Sequence, residues 1–171
     1  MPNVSQIIAN HNKSVIKKNR PEETSDKTCN CRRDKVCPLD GKCLTSSIIY
    51  QATVVRQDNG KDETYIGLTD NSFKTRFNGH TCSFRNESKR SATTLSQYIW
   101  TLKDQNVPYS LKWKIVAKAK SYSTSNKTCN LCLKEKFYII CKPDMATLNN
   151  RNELAADCRH RRKFLLCNII P

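Results

Sequence analysis

The run Ile48-Ile49-Tyr50-Gln51-Ala52-Thr53-Val54-Val55-Arg56, the break at Asp58-Asn59-Gly60 and the resumption Glu63-Thr64-Tyr65-Ile66-Gly67-Leu68 decide how this chain folds. The first run is β-branched and apolar, Asp-Asn-Gly is a turn signal, and the two runs together predict a hairpin. Just downstream, residues 70–84 carry Phe73, Phe77 and Phe84 at i, i+4 and i+11, an apolar stripe that predicts a helix. Arg76 and His80 are four apart and share another face of that helix. A guanidinium and an imidazole facing a glycine turn and the phenols of Tyr50 and Tyr65 suit an anionic, oxygen-rich substrate such as a phosphate.

Working outward, Leu95, Ile99 and Leu102 mark a second helix that Ser91 or Thr93 can cap and Val107-Pro108 ends. Tyr109, Leu111, Trp113 and Ile115 alternate with Ser110, Lys112 and Lys114, the period of a third strand. A Ser/Lys/Thr-rich loop spans 118–128, a third helix runs from about Cys129 to Cys141 and stops at Pro143, and a weakly patterned basic helix covers roughly 151–166. The order β-β-α-α-β-α-α predicts a small α/β (α+β) fold: a three-stranded, mostly antiparallel sheet flanked by helices. Residues 1–28 read as a polar linker or arm, 29–46 as a cysteine-rich knuckle and 47–171 as the main domain.

Thirty Lys+Arg against fifteen Asp+Glu give a net charge of +15, a field that favours nucleic acid or an anionic membrane surface. No apolar run approaches the roughly 20 residues that span a bilayer, which sets a membrane-embedded reading aside. Met1-Pro2-Asn3-Val4 lacks a signal-peptide layout, so secretion is not expected. Nucleic acid is the favoured partner. Candidate contacts are Lys74, Arg85 and Arg151, with the densest basic run at Arg159, Arg161, Arg162 and Lys163. Any one of these charges taken alone is most simply a solvated side chain.

Ten cysteines without a secretory signal call for metal before disulfide. Cys29, Cys31, Cys37 and Cys43 crowd into one short polar stretch with almost no core of its own. A tetrahedral thiolate zinc site would supply the missing folding energy, against the alternative of disulfides or free thiols. Cys129 and Cys132 form a Cys-x2-Cys pair, and Cys158 with His160 can complete a zinc site of three thiolates and one imidazole if the chain returns to it. Cys158 and His160 are two apart, so they can ligate together only at a helix end or in a turn. Cys141 or Cys167 are alternatives for either, and Cys82 is most simply a half-buried free thiol.

The element order and these residues together resemble the GIY-YIG nuclease family. Tyr65-Ile66-Gly67 matches the second motif, Arg76 the family's helix arginine and His80 the histidine many members carry one turn on. Glu135, in Cys132-Leu133-Lys134-Glu135, resembles the metal-binding glutamate, and Asn149 the asparagine that closes the active site. The first motif departs at its glycine: Ile48 and Ile49 stand in its glycine and isoleucine positions, followed by Tyr50, so only the glycine is lost. The cysteine-rich forms of this domain resemble the C-terminal endonuclease of Penelope-like retroelement polyproteins. That likeness implies the terminal piece of such an element, or a truncated copy, whose Met1 can be internal to a longer frame.

The resemblance implies a DNA endonuclease that hydrolyses one phosphodiester strand in the nucleus. Further partners would be RNA or a reverse transcriptase domain encoded upstream. Glu135 would hold Mg2+ or Mn2+, Arg76 the non-bridging oxygens, Tyr50 would be the general base, and Tyr65 and His80 proton partners or positioners. A phenol with a reference pKa near ~10 makes a base only if Arg76, the metal or both lower it. Each residue alone has a plainer role: Tyr50 and Tyr65 as packing residues, Arg76 and His80 on a surface, Glu135 paired with Lys134 or Lys136. Cys132 lies one turn before Glu135, so zinc there would fix the start of the helix that presents the carboxylate. A zinc-stabilised nucleic-acid-binding module without cleavage is the alternative function, and a thiol redox protein a third.

Overall fold

The computed structural model describes residues 28–32, 37–58, 60–123, 128–149, 158 and 160. Residues 1–27, the basic helix expected over roughly 151–166 except Cys158 and His160, and the candidates Arg151, Arg159, Arg161, Arg162, Lys163 and Cys167 lie outside the described residues. The two described positions are not helical, Cys158 having no regular structure and His160 lying in a turn.

The hairpin forms as the two runs and the turn signal between them predict. Strand β1 is Ile48–Arg56 and β2 is Glu63–Thr69, antiparallel with Tyr50 opposite Gly67. At the turn, Asp58 accepts from Arg56 Nε at 2.9 Å and from the Gly60 amide at 3.1 Å. Strand β3, Tyr109–Lys118, pairs with the other side of β1, also antiparallel, so the sheet order is β2-β1-β3. β3 runs past Ile115, and a register shift between Ile49 and Tyr50 leaves Val116 as the extra residue of a bulge.

Helix α1, Phe73–Arg85, starts after Ser72, whose hydroxyl accepts from the Thr75 amide, and the preceding residues 70–72 of the expected helix lie outside it. Helix α2, Thr94–Asp104, is capped by Thr93 rather than Ser91, through the Ser96 amide at 3.0 Å. α2 ends before Val107-Pro108, because Asn106 turns into the left-handed region (φ 53°) and Val107 N reaches back to Leu102 O at 2.9 Å. Helix α3 is Asn130–Cys141, with Cys129 as its N-cap and a short 3-10 turn, Pro143–Met145, after it.

β1 is central, and its alternation serves two cores. Ile48, Tyr50, Ala52 and Val54 face one side, where Phe73 and Phe84 of α1 and Leu95, Ile99 and Leu102 of α2 cover them. Ile49, with Ile66 and Leu68 of β2, faces the other side under Leu131 and Ile139 of α3. Gln51, also buried on that side, satisfies its amide by donating to Met145 O at 2.8 Å. Leu39 of the cysteine knuckle joins the first core, tying the knuckle to the sheet.

Candidate active site

Two clusters of ligand side chains bracket the sheet. The sulfurs of Cys29, Cys31, Cys37 and Cys43 all lie within 4.8 Å of one another, with Cys43 to Cys29 at 3.5 Å and Cys31 to Cys43 at 3.7 Å. Ligands on a tetrahedron around a Zn2+ ion, with Zn–S near ~2.3 Å, stand about 3.8 Å apart. That spacing fits a thiolate metal site and leaves these cysteines unbridged. Backbone amides help carry the negative charge: although burial pushes the Cys37 thiol up, the amides of Leu39 and Gly41 bring it to about 7.

The second cluster is Cys129, Cys132, Cys158 and His160, again within 4.8 Å. His160 turns Nδ1 towards it, 3.4 Å from Cys129, 3.3 Å from Cys132 and 4.0 Å from Cys158. His160 lies in a turn, the geometry that two ligands this close in sequence require, and the Tyr122 ring stacks on its imidazole at 5.1 Å. Cys141, exposed at the end of α3, takes no part. Both clusters are therefore able to hold a metal such as zinc. Cys82 proves exposed rather than half-buried, because α1 turns it away from both cores, and Lys89 Nζ lies 3.4 Å from its sulfur.

Each cluster begins a helix. The knuckle offers its own carbonyls to the start of α1: Phe73 N donates to Thr45 O at 2.9 Å and Lys74 N to Cys43 O at 2.7 Å. Lys74 Nζ also returns to the knuckle at Asn30 Oδ1, 2.6 Å away, which takes up a cation expected to face a phosphate. Cys129 and Cys132 open α3, and Glu135 follows one turn later.

Between these helices sits the phenol of Tyr50. It is wholly buried, accepts from Arg76 Nε at 2.9 Å and shares a hydrogen bond with His80 Nε2 at 2.8 Å. His80 is buried too, against the surface position its helix register alone suggests. Trp113, Phe84 and the two tyrosines enclose its ring. Burial, then the Arg76 charge, holds the His80 imidazole down to about 3, so it is neutral at neutral pH and shares its hydrogen bond with Tyr50 as an uncharged ring. Burial pushes the Tyr50 phenol above the ordinary tyrosine range; Tyr65 and Glu135 add to this and Arg76 only partly opposes it. Arg76 alone therefore does not make Tyr50 a base. Arg76 is also hydrogen-bonded to Tyr65, so one guanidinium holds both phenols.

Gly67 has a specific reason to be glycine. A Cβ there would lie 2.5 Å from Tyr50 Oη and 3.0 Å from a Tyr65 ring carbon. The strand pairing that sets Tyr50 opposite Gly67 thus lets the phenol lie across β2 towards Arg76.

Glu135 is buried on the face of α3 that packs on the sheet, and its charge is felt at Tyr50. Its carboxylate is a hard oxygen donor, the donor type that Mg2+ or Mn2+ accepts. Lys134, one of its expected partners, instead donates to Lys118 O at 2.6 Å. Asn149 closes the open edge of β2: Ile66 N donates to its Oδ1 at 2.8 Å, and its Nδ2 donates to Ile66 O at 2.9 Å. Leu148 N to Thr64 O continues this pairing, so the segment after α3 acts as a short extra partner for the strand that carries Tyr65.

Two contributors escaped the sequence. Trp113 packs on Tyr50 and His80, with ring centroids 5.9 and 5.4 Å away. Its place in an alternating strand marked it as inward-facing without saying what it met. Ser83 and Ser96 hydrogen-bond at 2.8 Å inside the core and lock α1 to α2, and two serines at helix positions give no such signal. No family model matches this chain, and no curated protein or solved structure shows significant similarity to it.

Proposed function

We propose that this protein is a metal-dependent DNA endonuclease of the GIY-YIG kind, which nicks one strand by hydrolysing a phosphodiester. The observation that carries the reading is the Tyr50 phenol held between Arg76 and His80 across Gly67, with Glu135 in its electrostatic reach. Tyr50 of β1 meets Arg76 and His80 of α1 in direct hydrogen bonds, and Glu135 is supplied from a second helix, α3.

In this reading the remaining N–H groups of Arg76 bind the non-bridging oxygens of the phosphate. The attacking water gives its proton to Tyr50 Oη as the Tyr50 proton passes to His80 Nε2. The substrate's negative charge would favour this shift by opposing the Arg76 charge, the smaller of the two influences that keep His80 neutral. Glu135 would hold Mg2+ or Mn2+, and such an ion would supply charge neutralisation to the phosphate and the departing 3′ oxygen. Asn149 keeps the Tyr65 strand in place. The two cysteine clusters, holding zinc, keep α1 and α3 in position. The net charge of +15 supports a DNA partner, and a place in a retroelement protein acting in the nucleus belongs to the same proposal.

One observation favours the alternative, a zinc-stabilised nucleic-acid-binding module: Tyr50 is fully buried and its phenol is pushed up rather than down. Nicking of supercoiled plasmid with and without Mg2+ separates the two. Glu135→Ala, with Glu135→Gln as the isosteric check, should cut nicking by roughly a hundredfold or more and leave DNA binding intact. Wild-type protein that binds but never nicks, or variants that nick normally, would sink the endonuclease reading.

A further inference from the structure

A cleft of about 720 Å3 opens beside the phenol cluster, between α1, the knuckle and β3. That lies within the roughly 300–1,000 Å3 range of small-ligand sites. Its apolar wall is aromatic: Phe77, Tyr109 and Trp113. Arg85 and Lys112, both exposed, stand at its rim, and Asp40 supplies the acidic lining residue on the knuckle side. Trp113 is also one side of the pocket around His80, so the cleft and the candidate active site share a wall. A second hollow of about 440 Å3 continues past Trp113 towards Lys114 and Lys118.

Aromatic faces flanked by cations match one ligand chemistry in particular, a flat heteroaromatic ring attached to phosphates. A duplex keeps its base faces inside its own stack and gains nothing from an aromatic cavity, whereas an unpaired base is free to stack on an aromatic ring. We propose that this cleft binds an unpaired nucleotide of a nucleic-acid strand, its base on Trp113 and Phe77 and its phosphates on Arg85 and Lys112. Asp40 repels the backbone from the knuckle side and so orients the strand along β3 towards Lys114. The proposal rests on nucleic acid being the partner, as above, and not on cleavage. For a nicking enzyme it means a substrate that presents an unpaired nucleotide next to the reacting phosphate.

Tryptophan fluorescence tests this directly. The chain has two tryptophans, and Trp100→Phe leaves Trp113 as the reporter. Single-stranded oligo-dT and oligo-U of about ten nucleotides, titrated at low salt without Mg2+, should quench Trp113. Tighter binding of one of them assigns the strand as DNA or RNA and supports the cleft either way. Arg85→Glu with Lys112→Glu should weaken binding roughly tenfold or more, and Phe77→Leu, which keeps the packing but removes the ring, by several-fold. A blunt duplex that quenches Trp113 as strongly, or a charge-reversed variant that binds unchanged, overturns the proposal. Plasmid nicking measured alongside keeps the two readings apart. Oligomer binding without nicking sinks the endonuclease and leaves the cleft; nicking without oligomer binding does the reverse.

Discussion

The two cysteine clusters do the same task by different means. The knuckle gathers all four ligands from one short run, 29–43, and hands its own carbonyls to the start of α1. The second takes two ligands from the start of α3 and two from a distant return at 158–160. α1 has a further support in the Ser72 hydroxyl, whereas Cys129, at the N-cap of α3, makes no side-chain capping bond. A locally built site can thus fail locally, while a site that cross-links distant segments adds to the core packing of Leu131 and Ile139 in holding the helix it begins. α1 brings Arg76 and His80, and α3 brings Glu135.

The sharpest way to break this comparison is to remove one ligand from each side. Cys43→Ser and Cys132→Ser should each lose one of two bound zinc ions, read by metal analysis of the purified protein. Cys132→Ser should lower nicking by roughly a hundredfold, as expected for a displaced carboxylate, and Cys43→Ser by roughly tenfold. Equal losses, or a larger one at Cys43, would show that the knuckle is no more local than its counterpart. Stripping both metals should abolish cleavage; a zinc-free protein that still nicks DNA normally refutes the positioning role altogether.

Gly67→Ala disturbs the phenol between the helices without touching either metal. Overpacking against Tyr50 should cost about 1–3 kcal/mol in urea unfolding, with zinc content still at two. Unchanged stability would mean that the phenol moves aside freely. Acid titration reads the α1 half when wild type is compared with a variant lacking the buried imidazole, since loss of zinc from the cysteine clusters in acid is common to both. His80 has a folded pKa of about 3, below its unfolded value of about 6.5, so the unfolded state binds its proton first as pH falls. The stability that neutral His80 retains above about pH 6.5 is therefore lost progressively between there and about pH 3, by a few kcal/mol. His80→Gln should flatten that part of the profile, and an equally steep profile in the variant would place the titration elsewhere. The smallest effect belongs to the segment after α3: Asn149→Ala removes two bonds to Ile66 and should cost about 1–2 kcal/mol, measured by thermal unfolding.

The same contrast between local and distant contacts explains what the residues disclosed. The hairpin, β3, the Phe stripe of α1 and the Thr93 cap were legible because period and capping chemistry act over a few neighbours. The four-cysteine knuckle was legible for the same reason. Cys158 and His160 were readable only as candidates, since nothing in a sequence says that a chain comes back. Burial was the least legible quantity. His80 sits on a helix face that its spacing leaves open to solvent, yet Trp113, from a strand over thirty residues later, covers it. The Tyr50 phenol likewise looked tunable by Arg76, and burial proved the larger influence on it. The bonds from knuckle carbonyls to α1 use backbone atoms, which every residue carries, so no side-chain pattern can announce them.

The contact between Tyr50 and Gly67 has an evolutionary consequence. With the phenol oxygen 2.5 Å from where a Cβ at 67 would be, the two positions form one inherited unit across a strand pair. A lineage that trims residue 50 releases residue 67 to vary, and a lineage that enlarges 67 forfeits the phenol. Positions 48 and 49 pair with Thr69 and Leu68 instead, and both isoleucine side chains are fully buried there, one in each core.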